Sequence, residues 1–539
     1  MRKPVILALL VSVLVLALVM AMCARLTPTP TISTPVCDGV PIGPQDDIQE
    51  AVERYGEGTT FCLKSGVHRL ASVVAKDRQR FIGEGASTIL SGARILAAGD
   101  ARPNGDGRYY WDGQAQESTP RGELIERGLP EAPHEGDRYN EELFVTASGD
   151  PEDSPKRYQR VMSLSQLDRG KWHFDHKTDR IYIAEDPSTL GLIETSVVPT
   201  AIVAPARETA QHVVVEHLVV EKYASPAQEG VIGGSNAVDW DVRHVTVRYN
   251  HGAGIDLGPG MLIENSKVHH MGQAGLTGRG GSSSRPAVLR STEVAYNKTL
   301  SFNPGWDAGG AKFGRISGRG MLIENSWFHH NFGTGLWFDT ESHNVTIRSN
   351  RFEANDRWGV FYEVSRQAKI YWNEVFGTTN GPEDSPWRGA GIALMNSDEV
   401  EVYENLLYDN HNGIFLRENP TASRPQEATY RDPLAHIVTV SVRGNDITMS
   451  RGATGMRVDS RNASSYWDSS NVQFSGNTYR LDNETSARFL GRGNGMYTFD
   501  EWTDLGNDRD GELLPASTGG SLPEKATPFR TSEYGARSD

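Results

Sequence analysis

Two decapeptides constrain the fold of this chain more than any other feature. MLIENSKVHH runs from Met261 to His270 and MLIENSWFHH from Met321 to His330, and the two agree at eight of ten positions. Weaker copies surround them as strand-like runs that end at Asn250, Asn350, Asn373, Asn405 and Asn445. After each a turn leads to Gly and a second short strand, as at Gly254-Ile255, Gly275-Leu276, Gly335-Leu336, Gly359-Val360, Gly391-Ile392, Gly413-Ile414 and Gly455-Met456. Where no loop intervenes, the period is near 24 residues, as from Gly335 to Gly359. That is too short for a propeller blade, and the leucine framework of a leucine-rich repeat is missing. The period fits a coil of three short parallel strands per turn around an apolar interior. Asn at equivalent corners can stack amide on amide and satisfy turn backbone that would otherwise lack partners.

The remainder of the 539 residues is consistent with an exported protein that works outside the cytosol. Met1-Arg2-Lys3 precedes an uncharged stretch from Pro4 to Met22, long enough to enter a bilayer. Cys23 follows, which leaves three fates open for residues 1–26: a lipidated anchor, an uncleaved helix or a cleaved signal. The Pro/Thr alternation within 27–36 reads as an extended spacer. Cys37 and Cys62 are the two cysteines beyond it, and in an oxidising compartment they pair as a disulfide. A net charge of −15 without a basic stripe excludes nucleic acid as a partner. Neither a metal nor a cofactor is implied, membrane contact is expected through the N-terminal segment only, and the chain is expected to be a monomer.

Ile48, Ala51, Val52 and Tyr55 recur at helical spacing, predicting a short amphipathic helix that covers the open first rung of the coil. The cap and first rungs occupy 37–98, with strands at Thr59 to Leu63, Gly66 to Leu70, Arg80 to Ile82 and Thr88 to Leu90. Between 99 and 196 the rhythm breaks, and a hairpin around His176-Lys177-Thr178-Asp179 points to an inserted β-rich excursion. Its Tyr109, Tyr110, Trp111 and Trp172 are expected in the core of that insert. The repeats fill 197–500, and 501–539 reads as a polar, poorly ordered tail.

Gly335-Leu336-Trp337-Phe338-Asp339 is echoed one period later by Gly359-Val360-Phe361-Tyr362-Glu363. Alternation turns Leu336, Phe338, Val360 and Tyr362 inward, and so turns Trp337, Asp339, Phe361 and Glu363 outward. Strands about 4.8 Å apart then place the Asp339 and Glu363 carboxyls on the order of 5 Å apart. Retaining glycosidases hold their two carboxyls about 5–5.5 Å apart, and inverting ones roughly 6.5–9.5 Å. Trp337 and Phe361 are expected as apolar walls for a sugar ring, and Lys312 is expected one rung earlier, within reach of Asp339. Trp306 and Asp307 border the same cleft, as does the loop from Gly377 to Gly389 with Glu383, Asp384 and Trp387. The next rungs carry Met395 and Arg417 where the carboxylates stood.

The GLWFD run followed by VFYEVS resembles the active-site strands of right-handed parallel β-helix glycoside hydrolases of the β-xylosidase type, glycoside hydrolase family 120. The resemblance covers mainly Gly254 to Glu418. It implies an all-β, pectin-lyase-like right-handed coil, with Asp339 as nucleophile and Glu363 as acid/base of a retaining glycoside hydrolase acting on an oligosaccharide or polysaccharide. Two other readings stand beside it. A polysaccharide lyase would need cations to neutralise a uronate, and only Lys312 and Arg417 are near the face. A non-catalytic glycan-binding or adhesive coil would need only the outward aromatics. The pairs His269-His270 and His329-His330 look like metal ligands, but a repeated polar corner explains them.

Overall fold

The computed structural model describes residues 37–117, 135–147, 154–379, 387–419, 436–460, 462–523 and 526. The leader at 1–26 with Cys23, the linker at 27–36, and Glu383 and Asp384 lie outside them. Short strands dominate, and a 24-stranded and a 13-stranded sheet share the rungs of one coil. One rung consists of Met321–Glu324, Trp327–His329 and Thr334–Asp339. The next repeats it at Val345–Arg348, Arg351–Glu353 and Trp358–Glu363, each strand parallel to its predecessor. The first two strands of each rung lie in the larger sheet and the third in the smaller.

Alternation fixes which residues fill the coil. Leu336, Phe338, Val360, Tyr362, Ile392, Leu394, Ile414 and Leu416 are all fully buried in one continuous apolar core. Removing each such side chain from water stabilises the coil by about 1.5–3 kcal/mol.

The Asn repeats resolve into two ladders, one at each of two corners. Asn350, Asn373, Asn405, Asn445 and Asn477 form one, each amide donating at 2.9–3.0 Å to the next and the last to Asp508 at 2.8 Å. Asn297, Asn331 and Asn355 form the other. Asn250 belongs to this second corner, where its side-chain oxygen accepts from the Tyr223 backbone. The residue before each Asn takes a left-handed conformation, including Tyr249, Tyr296, His330, Ser349 and Trp372, as does His270 before Met271 at the same corner. Side chains are strained there, and the neighbouring Asn bonds offset that cost. Glycine follows the second corner for a steric reason. A Cβ on Gly335 would lie 2.7 Å from the Gly359 carbonyl oxygen and 2.9 Å from the Asn355 amide nitrogen, and Gly310 is as tightly placed against Gly335 and Asn331.

The first rung is closed as expected. Helix Ile48–Arg54, capped by Asp47, buries Ile48, Ala51 and Val52 in the main core, and Cys37 is disulfide-bonded to Cys62. Tyr55 does not join them and is 39% exposed. The excursion is a separate 8-stranded sheet from Ala93 to Ser196, with Trp111 and Trp172 in its own core. The tail requires a correction. Helix Phe499–Asp504 buries Trp502 completely, and Glu512–Pro515 adds a strand parallel to Thr478–Leu481. Trp502 and Phe499 of the helix, with a strand-forming ELLP run whose Leu513 also packs on the core, sufficed to extend the coil past residue 500, against a polar average composition.

Candidate functional site

The third strands of successive rungs form one sheet face whose outward residues line up in two rows. Asp256, Thr277, Lys312, Trp337, Phe361, Ala393 and Phe415 make the first row. In the second, Arg279 is opposite Gly314, Gly314 opposite Asp339, and Glu363 opposite Met395 and then Arg417. Asp339 and Glu363 each stand one residue beyond the paired Phe338 and Tyr362, so they occupy the same position on consecutive rungs.

Two side chains tie these carboxyls together. Lys312 Nζ lies 3.0 Å from Asp339 Oδ2 and 2.5 Å from Asp307 Oδ1. It also sits 3.6 Å from the centre of the Trp337 ring, a cation–π contact. The Trp337 indole N–H in turn donates to Glu363 Oε2 at 3.0 Å. Burial would lower the Lys312 pKa, but the carboxylates of Asp339, Asp307 and Glu363 outweigh it and raise the value above the ordinary one. The lysine is therefore a fixed cation among three carboxyl groups. Asp339 is 6% exposed, whereas Glu363 is half-buried.

The expected aromatic walls are corrected by packing. Trp337 is 5% and Phe361 2% exposed, so neither offers an open ring face. Phe361 stacks on Trp358 at 4.3 Å between ring centres, and Trp387 closes over both. Ala390, Ala393, Met395 and Phe415 complete this second apolar cluster on the outside of the coil. Alternation identifies the outward side of a strand but not what covers it, and Trp358 precedes the register glycine where the repeat gives no signal. Of the cleft residues, Asp307 reaches the site through Lys312. Trp306 is half-buried beside it, its backbone N–H bonded to Asn303, and it makes no hydrogen bond or ring contact with the two carboxyls. Arg417 is paired with Asp459 at 2.7 Å.

The histidine pairs belong to a ladder of rings at the second corner. Tyr249, His270, Tyr296 and His330 follow one another at 5.3 Å between centres. His269 Nδ1 lies 2.8 Å from His270 Nδ1, and burial holds both rings neutral, with pKa values pushed down to about 3 and about 4. Among the described residues no group of His, Cys, Asp and Glu is arranged to hold a metal.

Asp256, Thr277 and Arg279 were not singled out in the sequence, although the spacing from their register glycines places them on this face. Burial and the neighbouring Glu229 push the Asp256 carboxyl up to about 7, with Arg279 opposing.

Comparison with known proteins agrees with the fold. The family profile described as "right handed beta helix region" matches residues 230–407, about a third of the chain. The chain folds as a right-handed parallel β-helix. The structure of XylC in complex with xylose superposes on this β-helix with a TM-score of 0.62 at 13% identity, over 87% of this chain and 82% of that one. A GH87 α-1,3-glucanase from Streptomyces thermodiastaticus gives 0.44 at 9% identity, over 91% and 73%. The A-module of the Azotobacter vinelandii mannuronan C-5 epimerase AlgE4 gives 0.44 at 12%, over 85% and 94%. At these identities the likeness is one of fold. No curated protein sequence matches the chain.

Proposed function

We propose that this β-helix is an exported carbohydrate-active enzyme, a retaining glycoside hydrolase that uses Asp339 as nucleophile and Glu363 as acid/base. One observation carries the reading: two carboxyls on consecutive rungs of one face, tied together by Lys312 and Trp337. A rung separation of about 4.8 Å suits double displacement and leaves no room for the water of an inverting enzyme.

The two environments favour different roles. Asp339 is ion-paired to Lys312 at 3.0 Å, as an anionic nucleophile requires, while Glu363 accepts from the neutral Trp337 indole and acts on Lys312 more weakly than Asp339 does. Asp339 attacks the anomeric carbon as the glycosidic C–O bond breaks, and Glu363 delivers its proton to the departing oxygen. Glu363 then takes a proton from water, which attacks the same carbon and releases the Asp339 carboxylate. Lys312 positions the nucleophile and Trp337 positions the acid/base. A saccharide substrate fits the xylose held by XylC on the same fold.

The lyase reading loses support because its two cations are committed, Lys312 to Asp307 and Asp339 and Arg417 to Asp459. The pure binding reading loses the open aromatic faces on which it relied. Asp339→Ala and Glu363→Gln are each expected to abolish hydrolysis of aryl glycosides with an unchanged circular dichroism spectrum. Full activity in either variant ends the proposal.

A further inference from the structure

The outward face does not stop at Lys312. Toward the N-terminal rungs the first row continues through Thr277 to Asp256, two rungs or about 10 Å away. In the second row Gly314 separates Asp339 from Arg279. Gly314 has no side chain, and a Cβ built there would meet nothing closer than 3.6 Å. The result is a notch one rung wide, with backbone as its floor, Lys312 and Thr277 along one side, and Asp339 and Arg279 at its ends.

Two groups at the N-terminal end of this notch, Arg279 and, one rung beyond Thr277, Asp256, lack the partners that a scaffold would supply. The side chains of Asp256 and Arg279 make no hydrogen bond or close ion pair with any described residue and feel each other only as separated charges, although nearly every other outward carboxylate and cation on this face is paired. An unpaired carboxyl set into the surface costs stability, and the same row five and six rungs further on is filled with Ala393 and Phe415 instead. The partly protonated state that burial imposes on Asp256 lets it donate as well as accept.

We propose that Asp256, Thr277 and Arg279 form a second saccharide subsite, which holds a neutral sugar unit next to the one that is cleaved. The proposal rests on the reading of this face as glycan-cleaving. A carboxyl, a hydroxyl and a guanidinium around a notch match the vicinal hydroxyls of a sugar, which donate to the first and accept from the last. An anionic unit is disfavoured because Asp256, Glu229, Asp307, Asp339 and Glu363 outnumber Lys312 and Arg279. On the other side of the carboxyl pair, the Trp358, Phe361 and Trp387 cluster occupies the face, so the bound glycan extends over Gly314 toward Asp256.

The test compares an aryl monoglycoside with neutral di- to hexasaccharides of the same sugar, in the wild type and in Asp256→Asn and Arg279→Ala. The ratio of oligosaccharide to aryl glycoside kcat/KM is expected to fall at least about tenfold in each variant, mostly through KM. An unchanged ratio in both variants overturns the subsite. A wild type inert toward every glycoside would instead defeat the hydrolase reading. Ligand-observed NMR with the same oligosaccharides then decides the subsite alone: binding lost in Arg279→Ala supports it, and binding that is absent or unaltered overturns it.

Discussion

The two halves of the outward face on either side of Asp339 and Glu363 share one backbone and one register but differ in chemistry. The N-terminal half carries Asp256, Thr277, Arg279 and Lys312 over a floor opened by Gly314. The C-terminal half carries Phe361, Ala393, Met395 and Phe415, closed over by Trp358 and Trp387. The coil demands nothing of outward residues beyond compatibility with a strand, and the proposed function accounts for the difference. One half is packed for stability, and the other leaves polar groups unpaired, which stability alone would not favour.

The contrast breaks if activity does not concentrate at the junction of the halves. Asp339→Ala and Glu363→Gln should each lower kcat/KM for an aryl glycoside by at least about 10³-fold. Met395→Ala, at the equivalent position one rung on, should change it by less than about tenfold. Comparable losses at all three positions would remove the special status of the carboxyl pair.

A second prediction concerns the packed half. Trp358→Ala deletes a ring stacked on Phe361 and Trp387 and should destabilise the protein by about 3–5 kcal/mol in denaturant titration. A loss below about 1 kcal/mol would mean that the cluster covers the face without supporting it.

The polar half should respond in the opposite sense. Asp256 is held near 7 against an ordinary 3.8, so between these values the folded state binds more protons than the unfolded one. Its favourable contribution is present at low pH and is lost as pH rises through about 7. Asp256→Asn should therefore stabilise the protein at about pH 8 by on the order of 2 kcal/mol, with the gain shrinking toward about pH 4. A gain independent of pH, read from thermal midpoints, would show that Arg279 already offsets burial and Glu229 at this site. The smallest effect is expected at Thr277→Val, within about 0.5 kcal/mol of wild type in the same titration.

The coil was legible in the sequence because its constraints are local. A left-handed corner residue, the Asn beside it and a Gly that no Cβ can replace recur in fixed order, and each has its own steric or hydrogen-bonding cause. The register of Asp339 and Glu363 followed from counting from Gly335 and Gly359, and so did the reach of Lys312. What lay beyond reading was what packs onto a face from elsewhere. Trp358 and Trp387 bury Trp337 and Phe361, and their approach depends on a turn and a loop outside the repeat. The two Asn corners were merged because both end a strand with the same residue. The last rung was hidden because its apolar anchors, Phe499, Trp502 and Leu513, are few and scattered among polar neighbours. Spacing from the register glycines puts Asp256 and Arg279 on the same face as Lys312, but only the structure shows that their side chains make no hydrogen bond or close ion pair with described residues.

The most direct test of the carboxyl pair is the stereochemistry of the first-formed product, followed by proton NMR during hydrolysis of an aryl glycoside of defined anomeric configuration. Two carboxyls one rung apart predict that the sugar is released with the configuration it had in the substrate. Release of the opposite anomer would contradict the arrangement of Asp339 and Glu363 described above.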